Sequence, residues 1–184
     1  VSEGQAKALV RAYESAGYPA TTVELVEAHG TGTKAGDVAE LGGLRLAFDD
    51  VRWKKTERQF CAIGSVKSQI GHTKSAAGAA GIIKAALALH EKVQPPTIKV
   101  DTPNPQADFA TSPFYVNSTA RPWFRGADHP RRAGVSSFGF GGSNWHITLE
   151  EYTGAAKTAL RMRTQAAELV ALSAATPAEL GAAL

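Results

Sequence analysis

Two histidines stand where this chain could do catalytic chemistry. His29 follows a short apolar run and opens the turn H-G-T-G-T, and His72 lies in G-H-T at the mouth of an apolar helix. A histidine at a helix N-terminus meets unpaired N–H groups and the positive end of the helix dipole, which disfavour the imidazolium. A neutral, oriented imidazole in that place is useful for catalysis. A histidine hydrogen-bonded in the protein core is the alternative interpretation of this stretch.

Glycine-rich turns carry the other candidate residues. Both histidine turns follow a predicted strand and precede a helix, and in layered α/β folds ligands bind at the carboxyl ends of strands. Lys67 lies five residues before His72 and could place a positive charge beside it. Gly30 and Gly32 permit backbone conformations that other residues resist. The remaining candidates are the hydroxyls of Thr31 and Thr33, and Phe138, Phe140 and Asn144 in a third turn, S-S-F-G-F-G-G-S-N.

Other site chemistries fit these residues poorly. The turn H-G-T-G-T-K-A-G is a degenerate dinucleotide fingerprint, because Ala35 stands where the third glycine usually lies. G-S-V-K-S is too short for a phosphate-binding loop. Cys61 has neither a zinc-site spacing to the histidines nor a base nearby in sequence, which favours a small buried hydrophobe. We assign no role to His90, His129 or His146.

Composition indicates a globular protein and excludes several classes. The 184 residues can bury a core, and the net charge of +3 accompanies no nucleic-acid motif. Lys84 interrupts the best candidate for a transmembrane run, and the first residues are not a signal peptide. The single cysteine excludes an internal disulfide and is compatible with a reducing compartment, so we expect a cytoplasmic protein. We expect no metal site, because Cys61 and the histidines lack the spacing of a zinc site. The last residues read as a helix that has barely begun, which indicates a piece of a longer chain.

Apolar periodicity predicts the elements that hold these turns. The first helix, over residues 2–17, should begin at a capping box formed by Ser2 and Gln5. A second such pair, Asp37 and Glu40, should open the helix after the first histidine turn. Strands are expected over residues 23–28, 60–65 and 114–118.

The helix after His72 has an unusually small-sided apolar face. Thr73 is its expected N-cap. Gly78 and Gly81 lie inside the helical pattern at a cost of about 1 kcal/mol each relative to alanine, which indicates a backbone packed close to another element. The predicted buried stripe consists of Ala76, Ala80, Ile83 and Leu87, widened by Ala77 and Ile82.

The last third of the chain predicts a hairpin and then a connector. Two β runs over residues 132–140 and 144–151 should pair, with Trp145, Ile147 and Leu149 of the second run facing the core. The order of helices and strands predicts α/β layers with mixed strand directions. Asn117 matches a glycosylation acceptor, but without a secretory signal we give that match little weight. A further strand is predicted over 168–173, and Thr176 should cap a final helix.

Three ordered motifs together resemble the β-ketoacyl synthase domain of a type I polyketide synthase. They are E-A-H-G-T-G-T-x-x-G-D, G-S-V-K-S-Q-I-G-H-T-x-x-A-A-G and S-S-F-G-F-G-G-S-N, and they match the half of that domain that follows its nucleophile. The stretch K-A-G-D-V-A-E favours iterative synthases of the enediyne or polyunsaturated-fatty-acid kind. The tail E-L-V-A-L-S-A-A-T-P-A-E-L resembles the connector toward an acyltransferase domain. The resemblance therefore implies half a ketosynthase domain over residues 1–152 and a linker over 153–184.

This resemblance implies a thiolase-like fold, a layered α/β structure with a mixed five-stranded sheet, of which the chain is the second half. It also implies a decarboxylative Claisen condensation of an acyl thioester with malonyl-acyl carrier protein. His29 and His72 would polarise the malonyl thioester and stabilise the enolate, and Lys67 would support His72. No bound cofactor is implied beyond the phosphopantetheine arm that the carrier protein delivers. The residues implied for that arm and the acyl pocket are Thr31, Thr33, Phe138, Phe140 and Asn144.

The chain departs from the family pattern in two places. The family's nucleophile is a cysteine in a stretch like T-A-C-S-S, which is not found here, and Cys61 is not it. Some relatives carry at the position of Gly81 a glutamate that pairs with the equivalent of Lys67; here Glu40 could replace it, or the pairing is absent. The implied partners are the N-terminal half of the domain, acyl carrier protein and a second copy in a homodimer. The alternative function is a non-catalytic, ketosynthase-like scaffold or carrier-protein docking fragment.

Overall fold

A mixed five-stranded sheet organises the chain. The computed structural model describes residues 1–52, 55–155, 172 and 174–182. The strand order is β4-β2-β1-β6-β7, in which β7 alone runs antiparallel to its neighbour. The strands of this sheet are β1 (Leu25–Glu27), β2 (Cys61–Gly64), β4 (Phe114–Val116), β6 (Arg132–Phe138) and β7 (Asn144–Glu150). A separate antiparallel pair joins β3 (Val93–Gln94) to β5 (Arg121–Pro122).

Helices cover both faces of the sheet. The helices in the described residues are α1 (Ser2–Ala16), α2 (Lys34–Phe48), α3 (Lys67–Ile70), α4 (Ala77–Glu91) and α5 (Pro177–Ala182). On one face, α1 and α2 bury Leu9 and Leu44 against Val26 of β1. On the other face, α4 buries Ala85 against Leu25, the neighbouring residue of the same strand. The predicted α/β layers and the mixed sheet are therefore confirmed.

Both predicted capping boxes are wrong, although the helices they belong to exist. Val1, not Ser2, is the N-cap of α1, and the Ser2 hydroxyl donates instead to the carbonyl of Ala39 at 2.9 Å. Helix α2 begins at Lys34, one turn earlier than expected, because the Thr33 hydroxyl caps it by accepting the Gly36 N–H. Asp37, which was expected to cap α2, instead accepts the Gly32 N–H at 3.2 Å.

The helix that carries the most small residues packs with a different face from the one predicted. Ala76 is the N-cap of α4 without a side-chain hydrogen bond, so Thr73 does not cap it. Ile83 and Leu87 of the predicted stripe are 60% and 55% exposed. Ala77 of the predicted stripe is buried as expected, and the other buried residues of the helix are Gly81, Ala85, Ala88 and Leu89. A Cβ on Gly81 would lie 3.0 Å from Val135 Cγ1, so the small residues let α4 approach the sheet and the large ones turn outward.

The predicted hairpin of β6 and β7 is confirmed, but of the three residues expected to face the core only Leu149 packs against it. Trp145 is 71% exposed and Ile147 is 42% exposed, whereas His146 is buried. The His146 ring is hydrogen-bonded to Tyr13 of α1 and to Ser136 of β6, so its polarity is satisfied in the interior. The alternation of apolar and polar residues predicted the strand correctly. Which of its two faces is buried depends on the packing of α1, which the alternation does not show.

The remaining signals have mixed outcomes. Asn117 is buried and donates to the carbonyls of Gln94 and Pro95, so it is unavailable as a glycosylation acceptor in the fold. Thr176 caps α5 by accepting the Glu179 N–H, as predicted. Of the strand expected over 168–173, all but residue 172 lie outside the described residues. Within the part of the chain described, no helix has the length and apolar character that crossing a bilayer requires.

Candidate active site

The two histidine turns meet at the carboxyl ends of adjacent parallel strands. Leu25 of β1 lies opposite Ala62 of β2 in the parallel register. At the carboxyl ends of the two strands, the Ala28 N–H donates to the Gly64 carbonyl at 2.8 Å. The rings of His29 and His72 therefore come together, with centroids 5.8 Å apart and planes at 88°. Residues 43 positions apart in sequence form one pair because the two strands are neighbours in the sheet.

His29 is held neutral at ordinary pH. Burial lowers its pKa to about 4, and the positive charges that Lys67 and His72 can carry lower it further. The buried Nδ1 has no hydrogen-bond partner among the described residues. The Phe138 ring lies 5.9 Å away and limits the water around the imidazole. A neutral ring with a nitrogen to spare is suited to donating a hydrogen bond to a bound substrate.

A buried carboxylate of α2 holds the His29 turn through hydrogen bonds to its backbone. Glu40 of α2 accepts the backbone N–H of His29 at 2.7 Å and that of Gly30 at 2.8 Å. Burial raises the Glu40 pKa to about 7 in spite of these two donors. Gly30 has φ of 49°, and a Cβ there would lie 2.7 Å from the Ser65 side chain. Sequence reasoning missed this contact, because Glu40 also has the spacing of a helix cap.

His72 and Lys67 lie on the second loop, which contains the short helix α3. The Lys74 N–H donates to Nδ1 of His72 at 3.0 Å, so the neutral ring carries its proton on Nε2. Lys67 is half-buried, and burial lowers its pKa while Glu27 and Glu40 act in the opposite direction. Among the described residues no carboxylate oxygen lies within 4.0 Å of Lys67 Nζ. Glu40 thus acts on Lys67 through space and does not form an ion pair with it.

The residues expected to bind substrate lie around this pair with unequal access. Thr31 and Thr33 are exposed, and their hydroxyl oxygens lie 3.2 Å apart. Phe138 touches the His29 ring, and Asn144 lies opposite Phe138 in the β6–β7 register. The side chain of Phe140 lies outside the part of the chain that the structure describes.

A cavity of about 330 Å³ opens beside the two loops. Thr31, Glu40 and Lys67 line one side of it, and the segment from Thr97 to Phe109 lines the other. The cavity therefore reaches the charged residues that support the histidines. No group of acidic, histidine or cysteine residues among those described could hold a metal ion.

Cys61 is not part of this site. The residue is fully buried in β2, and burial raises the pKa of its thiol. A thiol that stays protonated inside a sheet cannot act as a nucleophile. The structure therefore supports the interpretation of Cys61 as a small buried hydrophobe.

Sequence profiles of known families cover almost the whole chain. The family described as "Beta-ketoacyl synthase, C-terminal domain" matches residues 1–101, which include both histidine turns. The chain belongs to the β-ketoacyl synthase family. A second profile, the ketoacyl-synthetase C-terminal extension, matches residues 103–184. The five-stranded sheet takes strands from both regions, since β1 and β2 precede this boundary and the other three strands follow it.

Relatives of this ketosynthase chain include synthases for two kinds of product. Polyketide synthase PksL of Bacillus subtilis is 49% identical over 140 residues, which are 76% of this chain and 3% of that protein. A polyunsaturated fatty acid synthase of Thraustochytrium has a subunit that is 50% identical over 151 residues, 80% of this chain and 5% of that subunit. Because the two identities are nearly equal, the iterative subtype stays a prediction.

Solved ketosynthases share the fold. The ketosynthase from module 6 of the bacillaene synthase of Bacillus subtilis superposes with a TM-score of 0.76 at 46% identity. The match covers 82% of this chain and 27% of that ketosynthase. The thiolase-like fold predicted from the motifs is thereby confirmed. The chain spans about a quarter of a solved ketosynthase and a few per cent of the synthases it resembles.

Proposed function

We propose that this chain supplies the two-histidine half of a ketosynthase active site, which extends an acyl thioester with malonyl-acyl carrier protein. The observation that carries this proposal is the His29–His72 pair, with rings 5.8 Å apart at the carboxyl edge of the sheet. In the reaction, the bond between the malonyl carboxylate and Cα breaks, carbon dioxide leaves, and the electron pair forms a thioester enolate. The enolate carbon then attacks the acyl thioester and releases the thiolate of a nucleophilic cysteine.

The histidines suit the step in which negative charge develops. The enolate oxygen gains charge as carbon dioxide leaves, and fixed neutral donors aimed at such an oxygen contribute several kcal/mol in a site that excludes water. His29 is kept neutral by burial, and the neutral ring of His72 carries its proton on Nε2. Both rings can therefore donate to one oxygen without losing their protons. Lys67, in its cationic form, supports this charge from the same loop.

The substrate arm would lie over the exposed ends of these loops. Thr31 and Thr33 are exposed, and in this proposal their side chains would contact the phosphopantetheine arm of acyl carrier protein. Phe138, which packs on His29, would line the acyl pocket together with Phe140 and Asn144. No cofactor bound by the chain itself is part of the proposal. The linker to an acyltransferase domain would begin at residue 153.

The nucleophile and the rest of the pocket would come from the N-terminal half of the domain. Cross-strand neighbours share a face of a sheet, so Trp145 and Ile147 lie on the same side as Val135, which packs under α4. Ile83 and Leu87 of α4, the helix on this side of the sheet, are exposed apolar residues as well. An apolar surface of this kind usually marks an interaction site. The N-terminal half would cover it, and a homodimer would be built on the completed domain.

The two histidines provide the test. In the complete domain with its nucleophilic cysteine replaced, His29→Ala and His72→Ala should each lower malonyl decarboxylation by roughly 10²–10³-fold, as removal of one oxyanion donor does. The double variant should fall far short of the product of the single losses, because groups that act on one atom are strongly non-additive. His90→Ala, which removes an exposed histidine of α4, is the control. Losses no larger than the control's would refute the proposed role of the pair.

A further inference from the structure

Glu27 is a buried carboxylate at the carboxyl end of β1 that the chemistry above does not use. Only 2% of its surface is exposed. One oxygen, Oε1, accepts the backbone N–H of Val66 at 2.5 Å, and the other, Oε2, accepts Nζ of Lys84 at 2.7 Å. Its carboxylate therefore joins β1, the loop after β2 and helix α4. A charge withdrawn from water this far is costly unless such contacts compensate it.

The contact with Val66 fixes the start of the catalytic loop. Val66 is the N-cap of α3, and Lys67 is the first residue of that helix. His72 follows directly after α3 and Gly71. On the neighbouring turn, Glu40 holds the N–H of His29 in the same manner. The two histidine turns are thus each fastened by one buried carboxylate, one from the sheet and one from α2.

The space between β1 and α4 leaves the carboxylate little freedom. A Cβ on Gly81 would lie 3.1 Å from Cγ of Glu27, so the helix passes directly over this side chain. Lys84, whose side chain is only 10% exposed, comes from the same helix and reaches Glu27 from that side. Helix α4 therefore encloses the Glu27 side chain from its own side, and this packing sets the position of the carboxylate.

The carboxylates that act on Lys67 come from two elements, β1 and α2. Glu27 on β1 and Glu40 on α2 both raise the Lys67 pKa, against the larger effect of burial, which lowers it. Burial also raises the Glu27 pKa, and Lys84 and Lys67 oppose that effect. Lys67 in turn lowers the pKa of His29. Glu27 is therefore linked electrostatically to the histidine pair through Lys67.

We propose that Glu27 is a positioning residue for the condensation: its carboxylate holds the loop that carries Lys67 and His72 and supplies negative charge to Lys67. The inference rests on the proposed function, because it assigns the purpose of this loop to that reaction. A purely structural ion pair with Lys84 is the competing explanation. The two explanations differ in whether a variant that removes both charges still changes the active site.

The variants are made in the complete domain with its nucleophilic cysteine replaced. Glu27→Gln keeps an acceptor for the Val66 N–H and removes the charge, and Glu27→Gln combined with Lys84→Met removes the ion pair as a unit. Glu24→Gln is the matched control, because Glu24 lies at the other end of β1 and accepts the indole N–H of Trp123 at 2.8 Å. The titration of Lys67 is followed by NMR of ¹³Cε-labelled lysine, with Lys67→Arg for assignment. Malonyl decarboxylation is measured across pH.

Glu27→Gln should lower the Lys67 pKa and reduce decarboxylation by about tenfold or more, since misplacement of catalytic groups by 1 Å can cost about 10²-fold. The alkaline limb of the rate should move to lower pH. The double variant should show the same changes, because the carboxylates that act on Lys67 are Glu27 and Glu40. Glu24→Gln should show neither. If Glu27→Gln does not fold, the double variant decides alone.

The proposal is overturned if the double variant keeps the Lys67 titration and the decarboxylation rate of the wild-type domain, because Glu27 would then serve only to neutralise Lys84. An equal change in Glu24→Gln would overturn it as well, since any carboxylate of β1 would have the same effect. The Lys67 titration does not depend on turnover. A wild-type domain that fails to decarboxylate malonyl thioesters would therefore refute the proposed function, and the NMR result would still decide the role of Glu27.

Discussion

His146 is buried and His29 is half-buried, and the two rings differ in what their nitrogens contact. Burial lowers the pKa of both, to about 4 for His29 and about 3 for His146. His146 is bonded at Nδ1 to the Ser136 hydroxyl, 3.0 Å away, and at Nε2 to the Tyr13 hydroxyl, 2.8 Å away. Nδ1 of His29 has no such partner among the described residues. Both interpretations of a buried histidine are therefore present in one chain.

The difference shows which property separates a structural histidine from one available for chemistry. Burial is the largest cause of the lowered pKa in both histidines, so a lowered pKa does not separate them. A buried nitrogen without a partner is unfavourable, so Nδ1 of His29 marks a point where the described residues leave the hydrogen bonding of the site incomplete. His146 lies between α1 and the hairpin, where satisfied hydrogen bonds add to packing. The predictions below test this contrast between hydrogen-bonded and spare nitrogens.

The largest expected effect is on stability, at His146. His146→Ala should lower the free energy of unfolding of the complete domain by about 2–4 kcal/mol, because it leaves a cavity and strands two buried hydroxyls. His29→Ala should cost less than about 1 kcal/mol, since no side-chain hydrogen bond is lost. Denaturant unfolding measures both variants, with decarboxylation per folded molecule measured alongside. The contrast fails if His29→Ala proves the more destabilising of the two.

A second effect appears in the pH dependence of unfolding. The folded pKa of His146 is about 3 and its ordinary value is 6.5, so the unfolded chain binds more protons between these pH values. Stability from His146 is present above pH 6.5 and is lost as pH falls toward 3, by up to about 1.4 kcal/mol per pH unit. His146→Gln, which can still bond to Tyr13, should flatten this acid dependence. An unchanged slope between pH 6.5 and 4 would contradict the assignment.

The smallest expected effect sharpens the description of His29. Phe138→Leu removes part of the ring that packs on His29, admits water, and should raise the His29 pKa from about 4 toward 6.5. The acid limb of malonyl decarboxylation should move to higher pH by less than about one unit. Phe60→Leu is the matched control, because Phe60 packs against the same apolar core and its ring partner is Phe48. A shift of equal size in the control would mean that general loosening of the core is responsible.

Motifs predicted the site better than patterns predicted the packing. The H-G-T-G-T and G-H-T turns were placed correctly after two strands, since strand ends and turn residues are local properties of the sequence. The pairing of the two turns was implied by resemblance alone, because β1 and β2 are separated by α2. The structural role of His146 was missed, since its partner Tyr13 lies more than a hundred residues away.

Faces and caps were harder to predict, and the buried faces depend on distant neighbours. In α4 the apolar stripe with the largest residues was expected to be buried, yet the face that packs on the sheet consists mainly of alanine and glycine, with Leu89. In β7 the apolar residues were expected inside, yet α1 packs on the face with His146. Asp37 and Glu40 had the spacing of a cap, yet a buried carboxylate and a helix cap are alike in sequence. The two errors of face concern contacts between residues far apart in the chain, whereas the error at α2 concerns contacts within 11 residues.

The strand order has a consequence for how the chain is made. Leu25 in the central strand pairs on one side with Ala62 and on the other with Ala133, roughly a hundred residues later. At typical synthesis rates, that interval takes about 5 to 20 seconds. One edge of β1 therefore waits unpaired on the ribosome after the first two strands exist. Closure of the sheet is a late event in biosynthesis, and a chain arrested before β6 would present an open strand edge to its neighbours.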